Sequence, residues 1–379
     1  MNKKDINKKP FDEGTLLKLD IFRKCFREWF PVFIFNSYIK SIYVYDLFAG
    51  SGKDSVNNPG SPLILLEEAR GDQGMHCLTL NESPNKSVYF AFNEKEKQKF
   101  EELKYNTDTW LSDCQKSCPL ASGCIHKGHL FHKNAEFKTV FETEGFNRVL
   151  SDSKSAKFII LDQYGFSQVT ENVFDKLIHA PNTDFIFFIS SSTVRRFKEH
   201  PSVQAYLDTN SISFNENNPK ECHRAIASYF KGLVPDNLEY YIKSFTIQKG
   251  SNYYGLILGS AHSLGMEKFV KVCWAEDPLA GESNCNINND FEVGSLFYES
   301  GMSNIKNEVS EALEKRIVSG EIRSNITGLK WVLSQGCQPK LFVEVINKML
   351  KTGKIEVSTG FNQKSTRIHS IPEYRIIVK

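Results

Sequence analysis

The stretch Tyr43-Val-Tyr-Asp-Leu-Phe-Ala-Gly-Ser-Gly52 decides how this 379-residue chain folds. Its first residues are apolar and predict a short buried strand, which ends at the acidic residue Asp46. A turn with Gly50 and Gly52 follows, and glycine lets the backbone approach a ligand closely. The carboxylate at the strand end can accept a hydrogen bond from an ammonium or hydroxyl group of that ligand.

Two common phosphate-binding motifs are excluded around this turn. A P-loop needs glycine where Leu47 stands and a hydroxyl residue where Asp54 stands. A dinucleotide-binding fingerprint needs a third glycine where Ser55 stands. A helix is predicted next, with Ser61 as its N-cap and Pro62 at its first helical position. A tight strand–helix turn that binds nothing remains the alternative.

The pattern D-L-F-A-G-x-G is typical of class I S-adenosylmethionine (SAM) methyltransferases and frequent in those that act on nucleic acid. The sequence therefore predicts SAM as cofactor. The residues of this segment that we expect to bind it are Asp46, Phe48, Ala49, Gly50 and Gly52.

Two further segments supply candidates for the rest of the cofactor. Ser87–Phe92 is apolar and predicts a second strand, and Glu94 follows it where an acceptor could bond both ribose hydroxyls. The alternative for this acid is a structural one at a helix N-terminus. His129–Phe137 predicts a third strand and its exit loop, from which Glu136 or Asn134 could reach the adenine amino group.

The fourth predicted strand carries the catalytic candidates. Lys157–Leu161 is almost uniformly apolar, as a buried parallel strand should be, and Asp162 ends it. In amino-methylating enzymes a D/N-P-P-Y/F/W motif at this place presents the target amino group. Asp162 and Tyr164 match the acceptor and the stacking aromatic residue, whereas Gln163 stands where a proline is expected. A simple loop is the alternative.

Later strands complete an α/β pattern. Thr183–Ile189 predicts a fifth strand, and Asn252–Leu258 a late one. Between them, the hydroxyl run Ser190–Thr193 and the pair Arg195 and Arg196 could bind a phosphate or form a solvated helix start. Strands that alternate with helical stretches predict a Rossmann-like doubly wound sheet of class I methyltransferase type.

Composition indicates a soluble globular chain without a global basic field. Hydrophobic residues make up 40%, charged residues 24%, and the formal net charge is +2. The N-terminus has no apolar stretch that would predict a signal peptide, and nine scattered cysteines do not indicate a disulfide framework. We expect a cytoplasmic protein that does not enter a membrane.

The C-terminal part is predicted to be a separate small domain. The boundary is placed near Leu296, which gives a methyltransferase-like domain at 1–296 and a winged-helix domain at 297–379. The segment from residue 302 to residue 379 contains 13 Lys and Arg residues and 7 Asp and Glu residues. The predicted helices and strands are Ile305–Val318, Thr327–Leu333, Pro339–Thr352, Lys354–Ser358 and Tyr374–Val378. A ribbon tip with Lys364 and Arg367 favours contact with DNA or RNA, with protein docking as the alternative.

A cysteine cluster is the second notable group. Cys114, Cys118, Cys124 and His126 lie in a polar insertion predicted at about 106–128. Thiolates and an imidazole this close could complete a tetrahedral zinc site. The spacing is not a standard C-x2-C pair, so an iron–sulfur cluster, unligated thiols or a reactive thiol stay open.

Several stretches together resemble the three-Cys-motif partner family (TcmP), bacterial methyltransferase-like proteins that end in a winged helix. They are Lys18–Trp29, Tyr45–Gly50 with Gly60–Leu63, Leu161–Gly165, Tyr253–Ser260 and Gly353–Glu356. The resemblance implies a SAM-binding domain, and it suggests a protein partner encoded nearby and a phage-defence or mobile-element setting. Gln163 departs from the D-P-Y-G of the family.

Two functional hypotheses follow. The first is a SAM-dependent methyltransferase that acts on nucleic acid, most readily on an amino group. The second is an inactive SAM-fold and winged-helix module that binds nucleic acid or a partner protein. A metal-dependent redox protein built on the cysteine cluster is a third, and it would require bound iron.

Overall fold

The architecture is a seven-stranded sheet with helices on both faces, followed by a small helical part with a two-stranded ribbon. The computed structural model describes residues 9–83, 85–120, 128–287, 304–358, 366, 368 and 371–379. The strands are β1 (Ser41–Asp46), β2 (Ser87–Asn93), β3 (Leu130–Lys133), β4 (Ser155–Leu161), β5 (Thr183–Ile189), β6 (Tyr241–Lys249), β7 (Asn252–Ser260), β8 (Ile355–Val357) and β9 (Ile376–Val378). The α-helices of the described residues are α1 (Glu13–Ile34), α2 (Ser61–Arg70), α3 (Met75–Asn81), α4 (Lys97–Lys116), α5 (Phe137–Phe141), α6 (Glu144–Ser151), α7 (Glu171–His179), α8 (Ser191–Arg196), α9 (Pro201–Gln204), α10 (Cys222–Gly232), α11 (Ser263–Glu276), α12 (Asn304–Val318), α13 (Asn325–Ser334) and α14 (Lys340–Lys351).

The strand order of the large sheet is β3-β2-β1-β4-β5-β7-β6. The first five strands in the chain are parallel, whereas β7 runs antiparallel to both β5 and β6. The chain moves outward in one direction from β1 and in the other from β4. This is a Rossmann-like doubly wound sheet, so the predicted sheet architecture is confirmed, whereas the predicted C-terminal winged helix is not. Ligands of such sheets bind at the carboxyl ends of the strands at this switch point.

Helix α1 illustrates why the sequence folds as it does. Asp12 caps it by accepting a hydrogen bond from the Thr15 N–H group, and its apolar residues recur at helical spacing on one face. Phe26 and Trp29 of that face pack against Phe158 of β4, with ring centroids 5.2 and 5.0 Å apart. α1, α2 and α11 cover one face of the sheet, and α5, α6, α7 and α10 cover the other.

The C-terminal elements follow the predicted order of three helices and a two-stranded ribbon. They pack on the sheet domain, because one hydrophobic cluster contains Trp274 of α11 together with Leu313 and Val332 of the C-terminal helices. The indole N–H of Trp274 also donates to the carbonyl of Gly336 at 2.9 Å. Leu296, Lys364 and Arg367 lie outside the described residues.

Some local predictions were wrong. The N-cap of α2 is Gly60, and Ser61 is already helical and buried. Between α2 and β2, where no element was predicted, the chain forms α3, whose Cys77 and Leu80 are buried. Strand β6 was missed because it is an edge strand in which polar and apolar residues are mixed, without the uniform apolar run of a central strand.

The predicted polar insertion begins later than expected. Residues 106–116 are the second half of α4, since Asn106, Thr107 and Cys114 lie on its buried face. None of the helices within the described ranges is long and apolar enough to cross a bilayer.

Candidate functional site

Asp46 stands at the end of β1 and is completely buried. Its Oδ1 accepts a hydrogen bond from the Phe48 N–H group at 3.1 Å, whereas Oδ2 is buried without a hydrogen-bond partner among the described residues. Burial raises the pKa of Asp46 to about 7, although the nearby Ser61 and the Phe48 N–H group act in the opposite direction. A buried acceptor of this kind is costly unless a ligand supplies a donor.

Asp162 follows β4, the strand next to β1, and forms an ion pair that the sequence did not reveal. Its Oδ2 lies 2.5 Å from the Nζ atom of Lys18 on α1, and both side chains are largely buried. The Lys18 ammonium also lies 4.7 Å from the centroid of the Phe188 ring. Asp46, Asp162 and Lys18 therefore form one electrostatic group, in which Asp162 raises and Lys18 lowers the pKa of Asp46.

The glycine-rich turn is held in one conformation by the helix that follows it. Gly50 and Gly52 adopt positive φ angles of 61° and 85°, which side chains other than glycine rarely adopt. The Gly60 N–H donates to the Gly52 carbonyl at 2.7 Å, and a Cβ at position 60 would lie 3.0 Å from that oxygen. The Asn106 amide donates to the Ser51 carbonyl at 2.7 Å. Close packing on the turn thus explains why position 60 is a glycine.

Glu94 lies beside this turn, half-buried. One carboxylate oxygen accepts from the Gly50 N–H at 3.0 Å and the other from the Glu96 N–H at 2.8 Å. Its neighbour Asn93 is buried, donates its amide to the Leu47 and Ala135 carbonyls, and leaves its Oδ1 without a partner among the described residues. Asn93 is a polar group at the site that sequence reasoning missed.

The residues expected near adenine occupy different environments. Glu136 is exposed and forms an ion pair with Lys95 at 2.5 Å. The Asn134 amide donates to the backbone carbonyls of Glu94 and Lys95. The Phe48 ring, half-buried, stacks on Phe137 with centroids 5.1 Å apart, which forms an apolar wall after β1 and β3. Ala49 is buried, and its N–H donates to the Asn93 carbonyl at 2.9 Å.

The loop after Asp162 presents Tyr164 to solvent, with 75% of its surface exposed. Gln163, in contrast, is buried, and its Oε1 accepts hydrogen bonds from the backbone N–H groups of Gln168 and Val169 at 2.8 and 3.3 Å. Its Nε2 has no hydrogen-bond partner among the described residues. Gln163 therefore closes the loop by side-chain hydrogen bonds where a proline would have restrained its backbone.

The hydroxyl run after β5 is not available to a phosphate. Ser190 bonds Thr193, and buried Ser191 bonds the ring of His223 at 2.9 Å. The Ser192 hydroxyl accepts from the Tyr253 N–H at 2.7 Å. These hydroxyls fix α8 onto the sheet, which leaves only the arginines at its end for a ligand.

The cysteine cluster is only partly described. Cys114 is buried in α4, Cys118 is half-buried, and both are unbridged, whereas Cys124 and His126 lie outside the described residues. Within the described part of the chain, no three His, Cys, Asp or Glu side chains are grouped to hold a metal ion.

The C-terminal helices carry cations that are largely paired. Lys348 and Lys354 both contact Glu314, at 2.8 and 3.3 Å. Lys340 pairs with Glu344 at 3.6 Å. Lys340 and Lys348 of α14 therefore each have an acid beside them.

Comparisons with known proteins gave structural neighbours only. No family model matches the chain, and no curated protein matches it. Precorrin-6y C5,15-methyltransferase from Geobacter metallireducens shares 11% identity at a TM-score of 0.25, over 61% of this chain and 85% of that one. The human methyltransferase 10 domain containing protein shares 12% sequence identity at a TM-score of 0.29, over 64% of this chain and 83% of that one. An O-methyltransferase from Bacillus cereus, solved with SAH, shares 11% sequence identity at a TM-score of 0.34, over 66% of this chain and 91% of that one. Likenesses this distant carry no information about the substrate.

Proposed function

We propose that this protein is a SAM-dependent methyltransferase that acts on an amino group of a nucleic acid. The observation that carries the proposal is the buried, unpartnered Oδ2 atom of Asp46 beside a glycine-rich turn at the switch point of the sheet. A cationic ligand group would satisfy that oxygen and stabilise the ionised form of the carboxyl group.

The residues present fit the cofactor. Asp46 would accept from the amino group of its methionine part, and the turn from Phe48 to Gly52 would lie against its backbone. Glu94 would accept from the ribose hydroxyls while its two present hydrogen bonds hold it in place. Glu136 would have to release Lys95 before it could reach an adenine amino group. When bound, SAM supplies a methyl group on a sulfonium that leaves readily, so that positioning matters more than a strong base.

The catalytic roles fall to Asp162 and Tyr164. Oδ1 of Asp162 would accept a hydrogen bond from the target amino group, while Lys18 holds Oδ2 and fixes the orientation of the carboxylate. The exposed ring of Tyr164 would stack on the base, as aromatic side chains do on unpaired bases. Gln163 would act as a positioning residue through the loop that it closes.

The first experiment is calorimetric titration of SAM into the wild type and into Asp46→Ala. Micromolar binding that disappears in the variant supports the cofactor site. Glu68→Gln is the matched control, because Glu68 is another buried acid that pairs with Arg23 and Arg27 away from the glycine turn. The second assay measures S-adenosylhomocysteine, the demethylated product of SAM, with mixed-sequence DNA and RNA oligonucleotides present. Absence of binding in the wild type contradicts the proposal.

The alternative is an inactive module that binds nucleic acid or a partner protein in a phage-defence or mobile-element system. Gln163 in place of proline and the Lys18 contact to Asp162 favour it, because both alter the expected acceptor loop. The C-terminal part, proposed as a winged helix at 297–379, would then supply the binding surface. SAM binding without turnover on any oligonucleotide would favour this alternative.

A zinc ion held by Cys114, Cys118, Cys124 and His126 remains a proposal from the sequence. It would fix the segment after α4. Elemental analysis of the purified protein tests it, with Cys118→Ser as the variant that should lose the metal. One equivalent of zinc supports the site, and iron with visible colour would indicate a cluster instead.

A further inference from the structure

A polar groove with a volume of about 590 Å³ lies at the end of α8. Its lining residues are Arg195, Arg196, Phe197, Lys198, Glu199, His200, Pro201 and Glu216. Three cations and two carboxylates line the groove, a surplus of one positive charge, which makes it a candidate for an anionic ligand.

Glu216 is held between two of these cations. One of its carboxylate oxygens lies 3.2 Å from an Nη atom of Arg195, and the other lies 2.5 Å from the Nζ atom of Lys198. The hydrogen bond and charge of Lys198, followed by the charge of Arg195, lower the pKa of Glu216. The Glu216 side chain is nevertheless 60% exposed, so it can leave without unfolding anything. A carboxylate bonded to a guanidinium and an ammonium occupies the position that two phosphate oxygens would take.

Arg195 has unused capacity for a ligand. Its Nε is buried without a hydrogen-bond partner among the described residues. Its Nη2 also donates to the Glu216 carbonyl at 3.1 Å, which keeps the guanidinium at the groove. The Nη2 atom, which contacts the exposed Glu216 carboxylate, is the part of the guanidinium that a phosphate oxygen would meet once Glu216 has left.

Two contacts join the proposed catalytic loop to α8 and to the segment that follows it. The Ser190 N–H, at the start of α8, donates to the carbonyl of Gly165 at 2.9 Å. Phe166 of the same loop meets the ring of Tyr206 edge-on, with centroids 6.4 Å apart. Tyr206 and Phe197 are 43% and 48% exposed. Exposed aromatic rings therefore occur both on the loop that holds Tyr164 and on the segment that follows α8, and α8 and this segment also carry the cations. Aromatic rings and cations are the combination that binds single-stranded nucleic acid through stacking and backbone contacts.

We propose that this groove binds a backbone phosphate of a single-stranded nucleic acid, next to the nucleotide held at Tyr164, and that Glu216 occupies the phosphate position in the free protein. The inference rests on the proposed function for its substrate class. It goes further in assigning Arg195 and Lys198 as phosphate ligands and Glu216 as the group that substrate displaces. Arg196, bonded to the Asn252 side chain at 3.2 Å, lines the far wall.

The test is fluorescence anisotropy of a labelled, mixed-sequence single-stranded oligonucleotide with the full-length protein, as DNA and as RNA, over a series of salt concentrations. Glu216→Gln should bind about 2–5-fold more tightly, because an exposed ion pair no longer competes with the phosphate. Arg195→Gln should bind about 5-fold more weakly and lower the salt slope by about 1.

The chain offers a matched control on the other face of the sheet. Glu28 of α1 lies between Lys268 and Lys271 of α11, at 2.9 and 2.7 Å, so Glu28→Gln makes the same change of charge in the same kind of ion pair. Lys271→Gln is the corresponding control for Arg195→Gln. Both controls should match the wild type within twofold.

The outcomes separate this inference from the proposed function. If Glu216→Gln tightens binding no more than Glu28→Gln does, or if the wild type binds no oligonucleotide, the phosphate groove is wrong even where SAM binds. An acidic polypeptide that competes better than the oligonucleotide would also overturn it. If the groove variants change oligonucleotide affinity as expected but the protein does not bind SAM, the phosphate groove is supported and the methyltransferase assignment is wrong.

Discussion

The ammonium of Lys18 lies 2.5 Å from Asp162 Oδ2, which joins the first helix of the protein to the loop after its fourth strand. The two residues are 144 positions apart, and both are largely buried. The Lys18 ammonium offsets the negative charge of Asp162. That charge raises the pKa of the nearby buried Asp46, and Lys18 lowers it. One ion pair therefore serves both the proposed acceptor and the proposed cofactor anchor.

Removal of Lys18 should cost stability because it leaves a largely buried carboxylate unpaired. We expect Lys18→Met to lower the free energy of unfolding by about 2–4 kcal/mol, measured by urea denaturation. The double variant Lys18→Met with Asp162→Asn should recover most of that loss, since no unpaired charge then remains. Equal and additive losses in the two single variants would contradict the coupling.

The buried Asp46 carboxylate is expected to lower the free energy of unfolding of the ligand-free protein, although it provides a binding group for a ligand. Its folded pKa of about 7 lies above the usual value of an aspartate, so the folded protein holds a proton that the unfolded chain releases. Between about pH 4 and pH 7 the free energy of unfolding should therefore fall as pH rises, and the effect is complete above pH 7. Asp46→Asn should be more stable than the wild type at pH 8, on the order of 2 kcal/mol.

The comparison is made by denaturation at pH 5 and pH 8 without ligand. The difference between Asp46→Asn and the wild type should be larger at pH 8 than at pH 5. Asp184, whose pKa burial raises to about 6, contributes the same sign in both proteins and does not obscure the difference. A variant that is equally destabilised at both pH values would contradict the ionisation argument.

Variants of Gln163 test whether this residue, which stands where the motif has a proline, has a structural role. Gln163→Met keeps the volume but removes the acceptor for the Gln168 and Val169 N–H groups, so we expect a loss of about 2 kcal/mol. Gln163→Glu keeps the acceptor and should lose less at neutral pH. Thermal unfolding of both variants decides this, and identical melting temperatures for the two would exclude the hydrogen-bonding role.

Tyr164 should matter for transfer and not for stability. The ring is exposed, so Tyr164→Ala should change the free energy of unfolding by less than about 0.5 kcal/mol. Methyl transfer to an oligonucleotide should fall about 5- to 150-fold, since base stacking contributes about 1–3 kcal/mol. Tyr164→Phe retains the ring and should retain most of the activity. Equal activity in all three proteins would remove Tyr164 from the site.

The sequence predicted the parts of the site that depend on local pattern. Apolar strands that end in Asp46 and Asp162, and glycines that need positive φ angles, are visible in a few consecutive residues. Lys18 was not recognised, because an ion pair over 144 positions leaves no local spacing. The buried Asn93 was missed for the same reason, as its partners come from two separate loops.

The C-terminal part should unfold together with the sheet domain, although the sequence predicted a separate unit. Trp274 is almost completely buried between them and donates to the Gly336 carbonyl at 2.9 Å. Trp274→Phe removes this hydrogen bond and some packing, so we expect a loss of about 1–3 kcal/mol. Because the interface is part of one continuous hydrophobic cluster, hydrogen exchange of α13 and of β4 should accelerate by the same factor in the variant. Faster exchange confined to α13 would mean that the C-terminal helices open on their own, and the two parts would then be independent units joined by a weak contact.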